Sequence, residues 1–339
     1  MDARKRLILK EIVDHYIRTG KAVSSQTILE KYGLSVSSAT IRNEMKYLEK
    51  HGYITKSWSS SGRIPTAKGY RFFVDWLLEL SELARKEQHA ILEAYGFQRQ
   101  RLDELLQQTA FLLASLTGHL GFVLAPRLDQ TEFESVTLVK LTPDHALAVI
   151  ISNLGIIESR VIPTRLPQEQ LDKITNLLNR TLRGQQLGLI CASLQASSPE
   201  GWADPVTQDA CTILQQLLTP RKQQLYTEGL LHLLQTVFTW DEALEEARKL
   251  LTLLEDENRL IRAIQQARSP SGELSTVIGD EHTVRELRPY SLISLHYGYD
   301  GALGVLGPVR MDYSKAVSTT QYIGNRLRAI LTVSKAVQR

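Results

Sequence analysis

Residues 37–71, SSATIRNEMKYLEKHGYITKSWSSSGRIPTAKGYR, constrain the fold more than any other stretch. They read as a helix, a short strand, a polar turn and a second strand, in that order. Ser37 or Ser38 can cap the free N–H groups at the helix start. Ile41, Met45 and Leu48 recur at i, i+4 and i+7, which places one apolar stripe on one face. Thr40, Arg42, Asn43 and Lys46 occupy other faces, and none of them is a carboxylate. Gly52 stands where a residue beyond a helix C-terminus needs positive φ. Tyr53, Ile54 and Lys56 open a strand, Ser59 to Gly62 reads as a mobile turn, and Arg63-Ile64-Pro65 returns. This order predicts a recognition helix followed by a wing.

The preceding residues supply the partners such a helix needs. Leu7, Ile12, Tyr16 and Ile17 mark a first amphipathic helix ending near Gly20. Ser24 or Ser25 can cap a second, with Ile28, Leu29 and Tyr32 inward and Gly33 closing it. Helix, tight Gly-containing turn and polar-fronted helix form the helix-turn-helix arrangement that enters a major groove. Charge agrees. Residues 1–75 hold 14 Lys/Arg against 7 Asp/Glu, net +7, while the remainder holds 26 against 30, net −4. The cation excess is confined to the segment that would meet phosphates. Arg42, Asn43 and Thr40 are expected to reach base edges, Asn reading adenine and Arg reading guanine. Ser37, Ser38, Lys46 and Arg63 are expected to hold phosphates.

With 339 residues the chain is too long for one winged helix. Lys68–Leu83 continues as a helix, and Leu102, Leu106, Thr109, Leu113, Leu116 and Leu120 mark another. Its near-heptad spacing suits packing on the following domain, or else an intermolecular seam. From Pro126 the pattern turns to strands: FESVTLVKL, HALAVIIS and GIIESRVI, broken at Thr142-Pro143-Asp144 and Asn153-Leu154-Gly155. Helices dominate from about Pro167 to Arg268, with Asp204-Pro205 and a Thr239/Glu242 capping box as start signals. Strands return in LSTVIG, YSLISLHYGY and GALGVLGP, the last two joined at Asp300-Gly301, and a final helix starts near Ser314. The expected division is residues 1–75 as the winged helix-turn-helix, 76–125 as connecting helices, 126–164 with 269–339 as one α+β domain, and 165–268 as an insertion.

Nothing in the chain argues for catalysis. Cys191 and Cys211 fit no metal or redox spacing, and the eight histidines include no pair at helical ligand spacing. Gly298, Gly301, Gly304 and Gly307 lie around a hairpin, not between strand and helix, so close strand packing explains them better than phosphate binding. Asp280-Glu281-His282 reads as an exposed turn, and Ser115, Ser135 and Ser294 lack a nucleophile-elbow context. No cofactor and no metal is expected. No apolar run reaches bilayer length and no signal segment is present, so a cytoplasmic protein is expected.

Three blocks, SSATIRNEMKYLEKHGYI, GRIPTAKGYRFFVDWL and GVLGPVRMDYSKAV, resemble the HrcA family of heat-inducible transcription repressors, and the similarity runs in order over essentially the whole chain. One departure falls in the wing. Where the family reads close to HTSAGR this chain has Trp58-Ser59-Ser60-Ser61-Gly62-Arg63, with Trp58 in place of a histidine. The resemblance implies an α+β protein in which the N-terminal winged helix-turn-helix is followed by a GAF-like domain carrying a largely helical inserted dimerisation domain. It also implies a homodimer on double-stranded DNA at an inverted-repeat CIRCE operator of chaperone operons, with a GroE-type chaperonin as partner. The alternative is a metabolite-sensing regulator with a small ligand in the GAF-like domain, lined by residues 134–162 and 274–310.

Overall fold

The computed structural model describes residues 1–32, 37–57, 62–78, 102–196, 205–218, 223–237, 243–267 and 274–337. The N-terminal head opens with α1 (Ala3–Thr19), whose Asp2 cap accepts a hydrogen bond from the Lys5 amide. Helices α2 (Ser25–Tyr32) and α3 (Ser38–Lys50) follow, and Gly52 closes α3 at φ +74°. Strands β1 (Ile54–Lys56) and β2 (Arg63–Pro65) pair antiparallel with Lys56 opposite Arg63. Val23 adds a bridge to Arg63 on the other side of β2, with both backbone bonds at 2.9 Å. This is a winged helix, with Ile8, Leu9, Ile12, Ile28, Ile41 and Leu48 fully buried. The α2–α3 turn at Gly33 and the wing tip with Trp58 lie outside the described residues.

Helix α4 (Ala67–Leu78) carries the chain from wing to body. Head and body share one core, in which Tyr70, Phe73 and Val74 join Tyr313, Val317 and Leu327. Polar contacts reinforce it. Arg71 donates to the Thr276 carbonyl, and the Arg310 guanidinium lies 5.8 Å from the centre of the Tyr16 ring.

The body is built on a five-stranded antiparallel sheet of order β7-β3-β10-β9-β8. The strands are β3 (Leu120–Leu124), β7 (Leu225–Glu228), β8 (Ser275–Ile278), β9 (Tyr290–Gly298) and β10 (Gly301–Pro308). Both faces are covered, so the central strands are buried almost throughout and their burial does not alternate. Val123, Ile293, Leu303 and Val305 face α5 (Leu102–Thr117) and α12 (Tyr313–Val337). Phe122, Leu124, Leu292 and Leu306 face α9 (Leu230–Val237), α10 (Ala243–Glu255) and α11 (Glu257–Gln266). The β9–β10 hairpin turns on Tyr299 and Asp300, both at positive φ, one residue earlier than the Asp300-Gly301 expectation.

Close strand packing accounts for Gly304. A Cβ there would collide with the Ile293 carbonyl oxygen and lie 2.8 Å from the Phe122 ring. Gly304→Ala is expected to lower unfolding stability by about 3 kcal/mol through overpacking, measured by urea denaturation.

Three strands stand apart from this sheet. β4 (Phe133–Thr142), β5 (His145–Ser152) and β6 (Ile157–Pro163) form their own meander. Helices α6 (Gln168–Leu182), α7 (Leu187–Ala196) and α8 (Pro205–Leu217) belong with it, and α6 and α8 cover one face around Val136, Leu138, Ala148, Ile150, Leu171 and Leu214. Side-chain amides of α6 close the β4 edge. Asn179 accepts from the Val136 N–H at 2.7 Å and donates to its carbonyl, and Gln168 does the same for the Lys140 N–H and the Leu138 carbonyl.

The boundaries therefore differ from the expected ones. The inserted unit lies between β3 and β7 and contains the strands of residues 133–163, which do not pair with residues 275–308. Helices within residues 230–266 cover the large sheet instead of belonging to the insertion. Helix α5 is a layer of the body, not a connector. Its Leu106, Ala110 and Leu113 pack there, the helix stops at Thr117, and Leu120 already lies in β3. Strand-like segments were grouped by their place along the chain, whereas pairing joins Leu124 to Ala302 across the whole insertion. The Thr239/Glu242 capping box and Asp204 lie outside the described residues.

Candidate nucleic-acid interface

Three buried residues, Ile41, Met45 and Leu48, fix the rotation of α3 against α1 and α2. The same rotation turns Arg42, Asn43 and Lys46 outward, where all three are exposed. Among the described residues none of the three is held by an ion pair or hydrogen bond. Thr40 lies toward one flank, half-buried, with its hydroxyl 2.9 Å from that of Ser37.

Both serines are placed at the helix start by their own hydrogen bonds. Ser37 Oγ accepts from the Thr40 amide at 3.2 Å and caps α3. Ser38 Oγ stands 3.3 Å from Ser25 Oγ, so the N-termini of α3 and α2 meet. Two helix starts side by side present N–H groups and positive dipole ends to one anion.

The structure also removes negative charge from this surface. Glu44 is held by Lys5 at 3.1 Å, and Glu49 by Arg63 at 2.9 Å. Hydrogen bonds to Asp2 and then to Glu44 raise the Lys5 ammonium above the ordinary lysine range. The two carboxylates of α3 are thus neutralised on its flanks, and the outward face keeps Arg42, Asn43 and Lys46 with Lys50 beyond them. Arg63, expected to hold phosphate, is paired with Glu49 of α3. Its side chain is only 17% exposed, and in this structure its guanidinium braces the wing against α3.

Lys56 and Lys68 were not singled out from the sequence. Lys56 stands exposed on β1, opposite Arg63 of β2. Lys68 donates to the His51 carbonyl at 2.9 Å and sits 4.5 Å from the centre of the Tyr53 ring, a favourable place for a cation at a helix C-terminus. Position along the wing strand was the signal for Lys56. For Lys68 no local pattern existed, because its partners lie 15 and 17 residues back.

Other polar groups carry no comparable arrangement. His119 and His282 are pushed down to about 4 by burial, which identifies them as neutral interior groups. Of the expected exposed turn at residues 280–282, Asp280 is exposed but His282 is buried. Burial likewise raises the thiols of Cys191 and Cys211. Among the described residues no three His, Cys, Asp or Glu side chains could hold a metal ion, and no helix is long and apolar enough to cross a membrane.

Comparison with known proteins places this surface in context. Residues 103–317 match the family model described as HrcA protein C terminal domain. The heat-inducible transcription repressor HrcA of Pelotomaculum thermopropionicum is 34% identical over 340 residues, covering 98% of this chain and 97% of that one. The protein of the same name from Acetivibrio thermocellus is 32% identical, covering 97% of this chain and 95% of its own. A crystal structure described as a hypothetical protein superposes with a TM-score of 0.64 at 27% identity, covering 98% of this chain and 99% of that chain.

Proposed function

Because the chain belongs to the HrcA family of heat-inducible transcription repressors, we propose that it acts as a homodimer whose two heads grip the halves of an inverted repeat. The relatives' names state a heat-inducible transcription repressor, and the reading for this chain is a repressor that acts by binding DNA. The finer reading is steric. A dimer seated on a CIRCE-type operator excludes transcription of chaperone operons in the cytoplasm. A GroE-type chaperonin promotes the active fold, and falls short of doing so when misfolded proteins occupy it.

The observation that carries the DNA reading is the carboxylate-free outward face of α3, with Glu44 and Glu49 both drawn aside by cations. Arg42 and Asn43 face the base edges, Lys46 and the paired helix starts at Ser37 and Ser38 meet phosphates, and Thr40 lines the flank. Arg63 keeps the wing in position. Footprinting of the full chain on its own genomic DNA tests this, an inverted repeat being the expected protected site. Affinity for that site should fall at least about a hundredfold between roughly 50 and 200 mM salt, because several phosphates are neutralised at once. A nearly flat salt response in gel shifts would contradict the charge argument.

The second copy has a surface to meet. Among the described residues α6 and α8 cover one face of the meander, and the other carries two apolar rows on either side of Thr137, Val149 and Ser159. On the other, Val139, Leu147 and Val161 form one row across the sheet, and Ile151 and Ile157 form another. Val139, Ile157 and Val161 are 43%, 56% and 58% exposed, as is Leu141 at 52%. Such a patch on a folded domain marks an interaction surface. Since the β4 edge is already closed by Asn179 and Gln168, two copies would meet face to face and not by pairing at that edge.

A further inference from the structure

We propose that the cleft between the inserted unit and the body is a binding site for a small organic cation with an apolar body. The cleft is a cavity of about 570 Å³, within the range of sites for drug-sized molecules. Both chain crossings between the two units line it, Ala125–Asp129 going out and Gln223-Gln224 coming back. It therefore sits where the two units join, a usual place for a ligand between domains. It also lies away from the interior of the five-stranded sheet, since residues 274–310 contribute nothing to its walls.

The walls select the ligand. Leu106, Ile156, Leu187 and Leu217 offer an apolar surface for an alkyl or aryl group. Four carboxylates line the cavity, Asp103, Asp129, Glu158 and Glu257, against the two guanidiniums of Arg127 and Arg160. Arg127 is already matched by Asp129 through two hydrogen bonds, and Arg160 donates to the Gln216 carbonyl at 2.8 Å. Asp103 is oriented by the Tyr226 hydroxyl, which donates to it at 2.8 Å. Among the lining residues the four carboxylates outnumber the two guanidiniums, so an amine gains where a carboxylate is repelled. This inference rests on the fold alone and is measured without DNA, so it stands or falls separately from the operator reading.

Cys191 lines the cavity and serves as the reporter. The full chain carrying Cys211→Ala leaves Cys191 as its one cysteine. Its alkylation by N-ethylmaleimide is followed with 4-phenylbutylamine or its acidic counterpart 4-phenylbutyrate present. The amine is expected to slow alkylation about fivefold at millimolar concentration and to raise the melting temperature, and the acid to do neither. Adding Asp103→Asn and Glu257→Gln, with an unchanged circular dichroism spectrum, should remove the protection. Equal protection by amine and acid, protection by neither, or a Cys191 that does not react in the folded protein would each overturn the assignment.

Discussion

Alanine at Arg42 or at Asn43 is expected to weaken operator binding by about 1–3 kcal/mol each, roughly 5- to 150-fold, while non-specific binding stays nearly unchanged. Both side chains stand exposed on the outward face of α3, so their truncation removes groups that the fold does not use. Lys46→Ala should weaken specific and non-specific binding together, as a phosphate contact does. Arg63→Ala differs in kind. It releases Glu49 beside the interface and loosens the wing, so it should lower the melting temperature as well as the affinity. Gel shifts on the operator and on a scrambled duplex separate these classes. If Arg42→Ala and Asn43→Ala leave the preference for the operator intact, α3 is not the element in the groove.

Placing lysine at Val161 and at Ile157 is expected to give a folded monomer that no longer distinguishes an inverted repeat from unrelated DNA, with operator affinity down about a thousandfold. One winged helix spans too few base pairs to select a site, and in the proposed dimer the second copy supplies the second head. These side chains are more than half exposed within one chain, so charge there costs the isolated fold little but would be buried unpaired between two sheets. Head and body share a continuous core, so fixing the insertions against each other also fixes the spacing of the heads. In the unmodified protein, changing the half-site separation by half a helical turn should then abolish tight binding. Sedimentation of the double variant, with melting curves as the control for folding, tests the interface. A variant that remains dimeric would move the contact elsewhere, with the exposed Leu231 and Leu244 of the body as the next candidates.

The head was legible because what defines it is local. Ile41, Met45 and Leu48 repeat within two turns of helix, Ser37 caps an amide three residues away, and Gly52 takes the positive φ its position called for. The cation excess of residues 1–75 needs only counting. Exposure of Arg42, Asn43 and Lys46 follows from the same periodicity. Arg63 could not be read that way. Its partner, Glu49, lies 14 residues back on another element, and only the wing's fold brings them together.

The sequence by itself determined that a winged helix-turn-helix with a basic outward helix precedes a larger α+β body, and that two of the body's strands meet in a tight hairpin near Asp300, whose exact turn residues the structure shifts by one. Tertiary structure alone decided how that body divides. Strand character depends on each segment's own residues, but partnership depends on which edges meet. β3 pairs with β10 and β7 from partners about 100 to 180 residues away. The meander of residues 133–163 found its cover in α6 and α8 and became a separate sheet whose other face is uncovered among the described residues. A period-two pattern announces a face to be buried without saying against what. Among the described residues α6 and α8 cover one side of that sheet, and the proposed second copy would cover the other.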